Sequence, residues 1–314
     1  MVLQLAFLSS VASVISPGSK ICIVGAGPTC VCAAKLAAIR GYDTTALMFP
    51  AECSTAPGLV YDVKTITGSI PLKFMPIAGP DADEAAIEAL AAEVEGVILA
   101  IDDEKTFGEP VIETFIKPGT ALKRVSVMSR YLNGEGMGFF AKSAKMAANT
   151  EVWAGGADAV AKYKEMEKVV REKSKEAGVD FTIIRAGTLK GGASGTSVDD
   201  ENGGGEPTLL NKEFYKLGVQ DVANWRLIYD CDNLGVNLVA GDTLPGPGNS
   251  AVFTATAKCG PGDSHRGAVA ASLVEALRSE PAANRDFSVG AEEGRKFPTE
   301  EEWATKFTKA AGGA

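Results

Sequence analysis

One stretch, KICIVGAGPTCVCAAKLAAIRGYDTTALMF at residues 20–49, constrains the fold more than any other. The run ICIVG (21–25) is short, apolar and closed by glycine, which predicts a buried strand. From Thr29 to Arg40 apolar residues recur at helical spacing, and Gly41 stands where a helix ends. TTALMF (44–49) predicts a second strand. Gly25, Gly27 and Cys30 occupy the three positions of a G-x-G-x-x-G turn between the first strand and the helix. The first glycine permits the tight turn, the second lets the backbone approach a pyrophosphate, and the third allows close helix–strand packing. Cys30 impairs only the third role, with a small side chain. Pro28 suits a first helical turn, where its missing N–H costs little. The amides of Gly27, Thr29 and Cys30 would face phosphate oxygens.

The alternation continues. KFMPIAG (73–79) predicts a third strand, and Asp81 or Asp83 can cap a helix over 84–96. GVILAIDD (96–103) predicts a fourth strand, LKRVSVMS (122–129) a fifth, and VDFTIIRAG (179–187) a sixth after a charged helix over about 158–177. Such an order predicts an α/β fold, a doubly wound parallel sheet of the Rossmann-like kind. Residues 20–189 form that core. Residues 190–314 read as a smaller C-terminal, substrate-type region. It opens with a glycine-rich loop (190–208) expected to be mobile. It carries strand signals in WRLIYDCDNLGVNLVAGD and AVFTATA, a helix over 267–279, a strand over 285–291, and a terminal helix announced by Thr299 and Glu302 in capping-box spacing.

Composition narrows function. The formal charge is −9, which argues against binding a nucleic-acid backbone. A single histidine, His265, excludes a multi-histidine metal site, and no metal is expected. It lies in a predicted loop and reads more readily as a surface or satisfied side chain than as a base. The six cysteines (Cys22, Cys30, Cys32, Cys53, Cys231 and Cys259) follow no common zinc spacing and suit a reducing compartment. Residues 1–19 form an apolar arm, too short to span a bilayer and without a basic residue before Lys20. Three fates stay open for it: removal as a targeting remnant, packing on the chain's own sheet edge, or burial in a partner.

The second strand should deliver an acid to a ribose if NAD(H) is preferred. It ends instead in Met48, Phe49 and Pro50, with Glu52 late. Lys35, Arg40 or Lys64 are the bases left to meet a 2′-phosphate. The missing acid leans toward NADP(H) over NAD(H), and equally toward a degraded site. The fourth strand ends in Asp102 and Asp103, either a ribose ligand or the cap of a loop.

The stretch YKEMEKVVREKSKEAGVDFTIIRAGTLKGG (163–192) resembles the helix and sixth strand of the atypical short-chain dehydrogenase/reductases, the NmrA-like or NAD(P)H-binding group. Ala177-Gly178 through Thr182-Ile183-Ile184-Arg185-Ala186-Gly187 stands where those proteins carry S-G-x-x-x-T-I-x-R-P-G. HRGAVAASLVEALRSEPAANRDFSVG resembles the segment before their last strand. The resemblance runs in element order from about residue 20 to 291. It implies a nucleotide cofactor near Phe49, Asp102, Arg185 and Gly187. It also implies a catalytic Ser near Ser129 and a Tyr followed four residues later by Lys. Tyr163 is followed at that distance by Glu167, whose carboxylate opposes a phenolate. Lys164 substitutes only if the register differs. The alternative is that Tyr163, Lys164 and Glu167 form an ordinary helix surface.

Three functions follow. The first is a nucleotide-binding but catalytically impaired chain, a structural, assembly or redox-sensing subunit of a larger, membrane-associated complex in a plastid or other organelle. The second is an active NADPH-dependent reductase of a small carbonyl or enone substrate, with a cytoplasmic location open. The third is a nucleotide-free scaffold.

Overall fold

The structure, a computed structural model, describes residues 13–60, 71–102, 106–134, 137–148, 156–192, 209–210, 233–244, 262–294 and 296–313. The first half alternates as expected. It runs β1 (Lys20–Ala26), α1 (Gly27–Ile39), β2 (Asp43–Met48), α2 (Pro50–Val60), β3 (Leu72–Pro76), α3 (Glu84–Glu93), β4 (Gly96–Ile101), α4 (Glu109–Phe115) and β5 (Arg124–Ser129). Then come α5 (Phe139–Ala148), the long α6 (Gly156–Ala177), β6 (Asp180–Ala186) and β7 (Thr188–Lys190). The last part contains β8 (Gly235–Ala240), β9 (Asp263–His265), α7 (Arg266–Ala276), β10 (Arg285–Glu292) and α8 (Glu300–Ala310).

Eight strands form one sheet in the order β3-β2-β1-β4-β5-β6-β10-β8. All neighbours are parallel except the antiparallel pair β10 and β8. The chain moves outward one way from β1 to β3 and the other way from β4. The reversal opens a crevice at the carboxyl ends of β1 and β4, where doubly wound sheets take ligands. The region beyond residue 190 does not stand apart, because β10 and β8 complete the main sheet. Among the described residues, only β7 and β9 form a separate, two-stranded sheet.

Both faces of the central strands are buried, which is why they read as continuous apolar runs. Ile21, Ile23, Ala46, Ile98 and Ala100 face α1 and α7. Cys22, Val24, Val97, Leu99 and Val127 face the side covered by Ile87 of α3, Phe115 of α4 and Met166 and Val170 of α6. Residues Thr29 to Ala38 of α1 are all buried, as is every residue of α7. Their alanines, cysteines and glycine let the two helices approach closely, at the cost of amphipathic patterning.

Capping follows the local chemistry. Asp83, not Asp81, caps α3 by accepting from the Ala86 amide at 3.0 Å. The Thr299–Glu302 capping box opens α8. Helices α2, α4 and α5 were not expected. α2 contains an internal proline (Pro57) and α4 spans only two turns, so neither shows a plain apolar stripe, and α5 begins with two exposed phenylalanines. Of the expected C-terminal strands, GVNLVA is β8, and AVFTATA lies outside the described residues, as does 193–208 of the glycine-rich loop.

The described part of the N-terminal arm joins the fold. Ile15 is fully buried in the core. Its amide donates to the Leu277 carbonyl at 3.1 Å, and its carbonyl accepts from the Tyr42 hydroxyl at 3.1 Å. Arg124 Nη1 donates to the Ser13 carbonyl at 3.2 Å. Residues 13–19 therefore pack across the amino ends of the strands, not on a sheet edge. No helix among the described residues is long and apolar enough to cross a membrane.

Candidate functional site

The crevice is built on the turn from β1 into α1. Gly25 is required there because a Cβ at this position would lie 1.7 Å from the Ala100 carbonyl oxygen of β4. Gly27 has a φ of +82°, and its Cβ would lie 2.8 Å from Cβ of Asp102. Both glycines of the motif thus serve close packing between β1–α1 and β4. Cys30 is buried, and burial pushes its thiol well above the usual range, helped by the charges of Glu52 and Asp102. It fills the third motif position as a small apolar residue.

The first-turn amides of α1 already have acceptors. The Gly27 amide donates to Oε1 of Glu52 at 3.1 Å, and the Thr29 amide donates to Oδ1 of Asp102 at 2.8 Å. Carboxylates are favoured there because the helix start carries about half a positive charge. Glu52 reaches in from the first turn of α2, whose chain leaves β2 beside β1. Asp102 follows β4 directly. Its other oxygen accepts from Arg266 Nε at 2.7 Å, and both side chains are 8% exposed.

Two arginines brace this arrangement. Arg266, at the start of α7, also donates to the Gly191 carbonyl at 2.8 Å. Arg130, just past β5, donates to the backbone carbonyls of Asp102 at 3.4 Å and Gly187 at 3.1 Å. Gly187 itself is pressed against Gly262, where a Cβ would meet the carbonyl oxygen at 2.0 Å. Segment 187–192 is thereby tied over the head of α1.

A dinucleotide's pyrophosphate would accept from the same first-turn amides. The residues present do not fit it in this arrangement, because Glu52 and Asp102 stand on those donors. Like charges about 4 Å apart repel by about 4 kcal/mol at an effective dielectric near 20. Phe49, expected against the cofactor, directly follows β2 with 47% of its surface exposed. Of the bases considered for a 2′-phosphate, Arg40 pairs with Glu275 at 3.1 Å. Lys35 is buried within α1, and Lys64 lies outside the described residues, as does Asp103.

Arg185 and the catalytic candidates are engaged in contacts of their own. Arg185, read from the resemblance as a cofactor residue, is bound to Glu167 through Nε at 2.9 Å and Nη2 at 2.7 Å, and to Asp286 through Nη1. Burial works against its charge, but the two acids outweigh that and raise its pKa. It locks α6 to β6 and β10. Tyr163 is buried in the apolar packing beneath α6, while Lys164 is exposed on the same helix. Neither arrangement of an ordinary solvated surface nor a Tyr–Lys pair describes them. Ser129 is fully buried, and its Oγ accepts from the Tyr131 amide at 3.1 Å. His265 lies in β9 rather than a loop. It is buried, caps α7 and accepts through Nδ1 from the Gly267 amide at 3.0 Å.

Arg130 and Arg266 were missed by sequence reading. A single arginine before an apolar helix carries no local signal, and only the sheet order brings either one to Asp102.

No family model matches the chain, and no curated protein matches it. Solved structures show a distant likeness. A wide-type short-chain dehydrogenase/reductase from Veillonella parvula, solved with NADP, is 14% identical over 90% of this chain and 99% of that one, with a TM-score of 0.48. A putative NAD-dependent epimerase/dehydratase from Bacillus halodurans is 12% identical over 93% and 100%, with a TM-score of 0.44. An oxidoreductase from Lactococcus lactis is 14% identical over 93% and 95%, with a TM-score of 0.41. Likenesses this remote leave the function of this chain to its own residues.

Proposed function

We propose that this protein is a short-chain-dehydrogenase-like chain of the atypical, NmrA-like kind that has lost the family's proton relay. It serves as a structural, assembly or redox-sensing subunit of a larger complex. The placement of α6 carries this reading. The position four residues beyond Tyr163 holds Glu167, and its carboxylate is committed to Arg185. Tyr163 faces apolar packing, so neither a phenol nor a lysine of this helix is set to exchange a proton with a substrate. Where a dinucleotide is taken, the absence of an acid at the end of β2 favours NADP(H) over NAD(H), since the nearest acid, Glu52, is held on the Gly27 amide. A plastid or other organelle suits such a subunit, with the cytoplasm as the alternative.

One observation favours a second reading, a nucleotide-free scaffold: the chain's own carboxylates occupy the amides of Gly27 and Thr29.

The test is turnover of NADPH and NADH on a panel of carbonyl and enone substrates. No rate above the uncatalysed background is expected. A reductase activity that falls about a hundredfold in Tyr163→Phe, the usual scale for a general acid, would reverse the proposal. Partners are sought with the full chain and with a chain lacking residues 1–12, because residues 13–19 belong to the fold.

A further inference from the structure

We infer that the protein holds its anion crevice shut from within, with Asp102 as the latch and Glu52 as a second stop. The inference rests on the dinucleotide-type reading of the β1–α1 turn. Two amides in the first turn of α1 each donate to a carboxylate of the same chain, at 3.1 Å from Gly27 and 2.8 Å from Thr29. These are the positions where phosphate oxygens would be received.

Asp102 does more than cap. One of its oxygens faces the helix and the other faces Arg266, so a single carboxylate neutralises two positive elements. When it swings out, the Thr29 amide and the Arg266 guanidinium are left aimed at one volume. An entering phosphate would exchange for the carboxylate and keep both satisfied. The Thr29 hydroxyl is fully buried and has no hydrogen-bond partner among the described residues, a further donor at the same place. Glu52 lies at a half-buried position on α2, from which its side chain can turn toward solvent. Arg266 keeps its own hold on the Gly191 carbonyl, so it stays in place when Asp102 leaves.

The crevice is thus self-satisfied without a ligand, and its two negative charges oppose an incoming anion. Removing the latch should create an anion site rather than destroy one. Calorimetric titration with inorganic pyrophosphate and with NADPH tests this on wild type, Asp102→Asn, Asp102→Ala and Glu52→Gln. Pyrophosphate is expected to bind both Asp102 variants at least about tenfold more tightly than wild type. Adding Arg266→Met to Asp102→Ala is expected to abolish the gain. Glu52→Gln is expected to tighten binding by a smaller factor. Asp102→Asn can still accept from the Thr29 amide, so it decides the matter if Asp102→Ala does not fold. Equal pyrophosphate affinity in wild type and variants, or none in any, would overturn the latch. Tightened pyrophosphate binding without any NADPH binding would uphold the latch and overturn the dinucleotide reading. Equal NADPH affinity in all forms would sink the latch and leave that reading intact.

Discussion

Arg185 and Asp102 show how a side chain's meaning depends on its partners. Each stands at the end of a strand, where a family resemblance points to a cofactor. Arg185 is bound on both sides by Glu167 and Asp286. The Glu167 pair is bidentate, the geometry in which a guanidinium and a carboxylate match best. Glu167→Ala removes two charged hydrogen bonds but leaves Asp286 on Arg185. It is therefore expected to lower stability by about 1.5–3 kcal/mol, read as a shift in the urea midpoint. A change below about 0.5 kcal/mol would show that the pair is not holding α6 to the sheet. The absence of a Lys four residues after Tyr163 was legible in the sequence. The reason was not: the acid in its place has a structural partner 18 residues away.

Among elements, the β1–α1 unit was the most legible, because strand, glycine turn and helix are local patterns. The glycines nevertheless serve contacts that the motif alone does not specify. Gly25→Ala would force a methyl group into the Ala100 carbonyl of β4. It is expected to prevent stable folding, measured as loss of a cooperative thermal transition. A well-folded Gly25→Ala protein would contradict the close approach of β1 and β4. At the other end of the chain, the capping box of α8 was read from Thr299 and Glu302 alone. Thr299→Ala is expected to cost about 1 kcal/mol, seen in the denaturation midpoint, because α8 carries Trp303 and Phe307 into the core. The short α4 and the proline-containing α2 went unread for the converse reason. Their helicity depends on packing against neighbours, which propensity does not encode.

For the whole molecule, the N-terminal segment ties together parts far apart in the chain. Ile15 fills a core site and bonds to Leu277 and Tyr42. Ile15→Ala is expected to lose about 2–5 kcal/mol as a cavity forms. Tyr42 supplies a pH test of the same clip. Burial pushes its hydroxyl up to about 12, against about 10 in the unfolded chain. The native state thus holds this proton more tightly. Stability from Tyr42 is complete below pH 10 and declines as pH rises toward 12. Tyr42→Phe should flatten that alkaline decline, measured by urea denaturation across pH 9 to 12. An unchanged slope would place the hydroxyl outside the clip.

The sequence by itself determined what depends on short-range order. Apolar runs bounded by turn residues set the strands of the main sheet, helical spacing and caps set most of the helices, and their alternation set a doubly wound sheet. The tertiary structure alone decided what fills the crevice. The Thr29 amide meets Asp102 across 73 residues, and Asp102 meets Arg266 across 164. Such encounters follow from β4 lying beside β1 and from α7 packing on α1. A sequence pattern records which donors and acceptors a chain carries. Which of them meet is settled by strand order and helix packing, because a hydrogen bond forms only where the fold brings its two groups within about 3 Å.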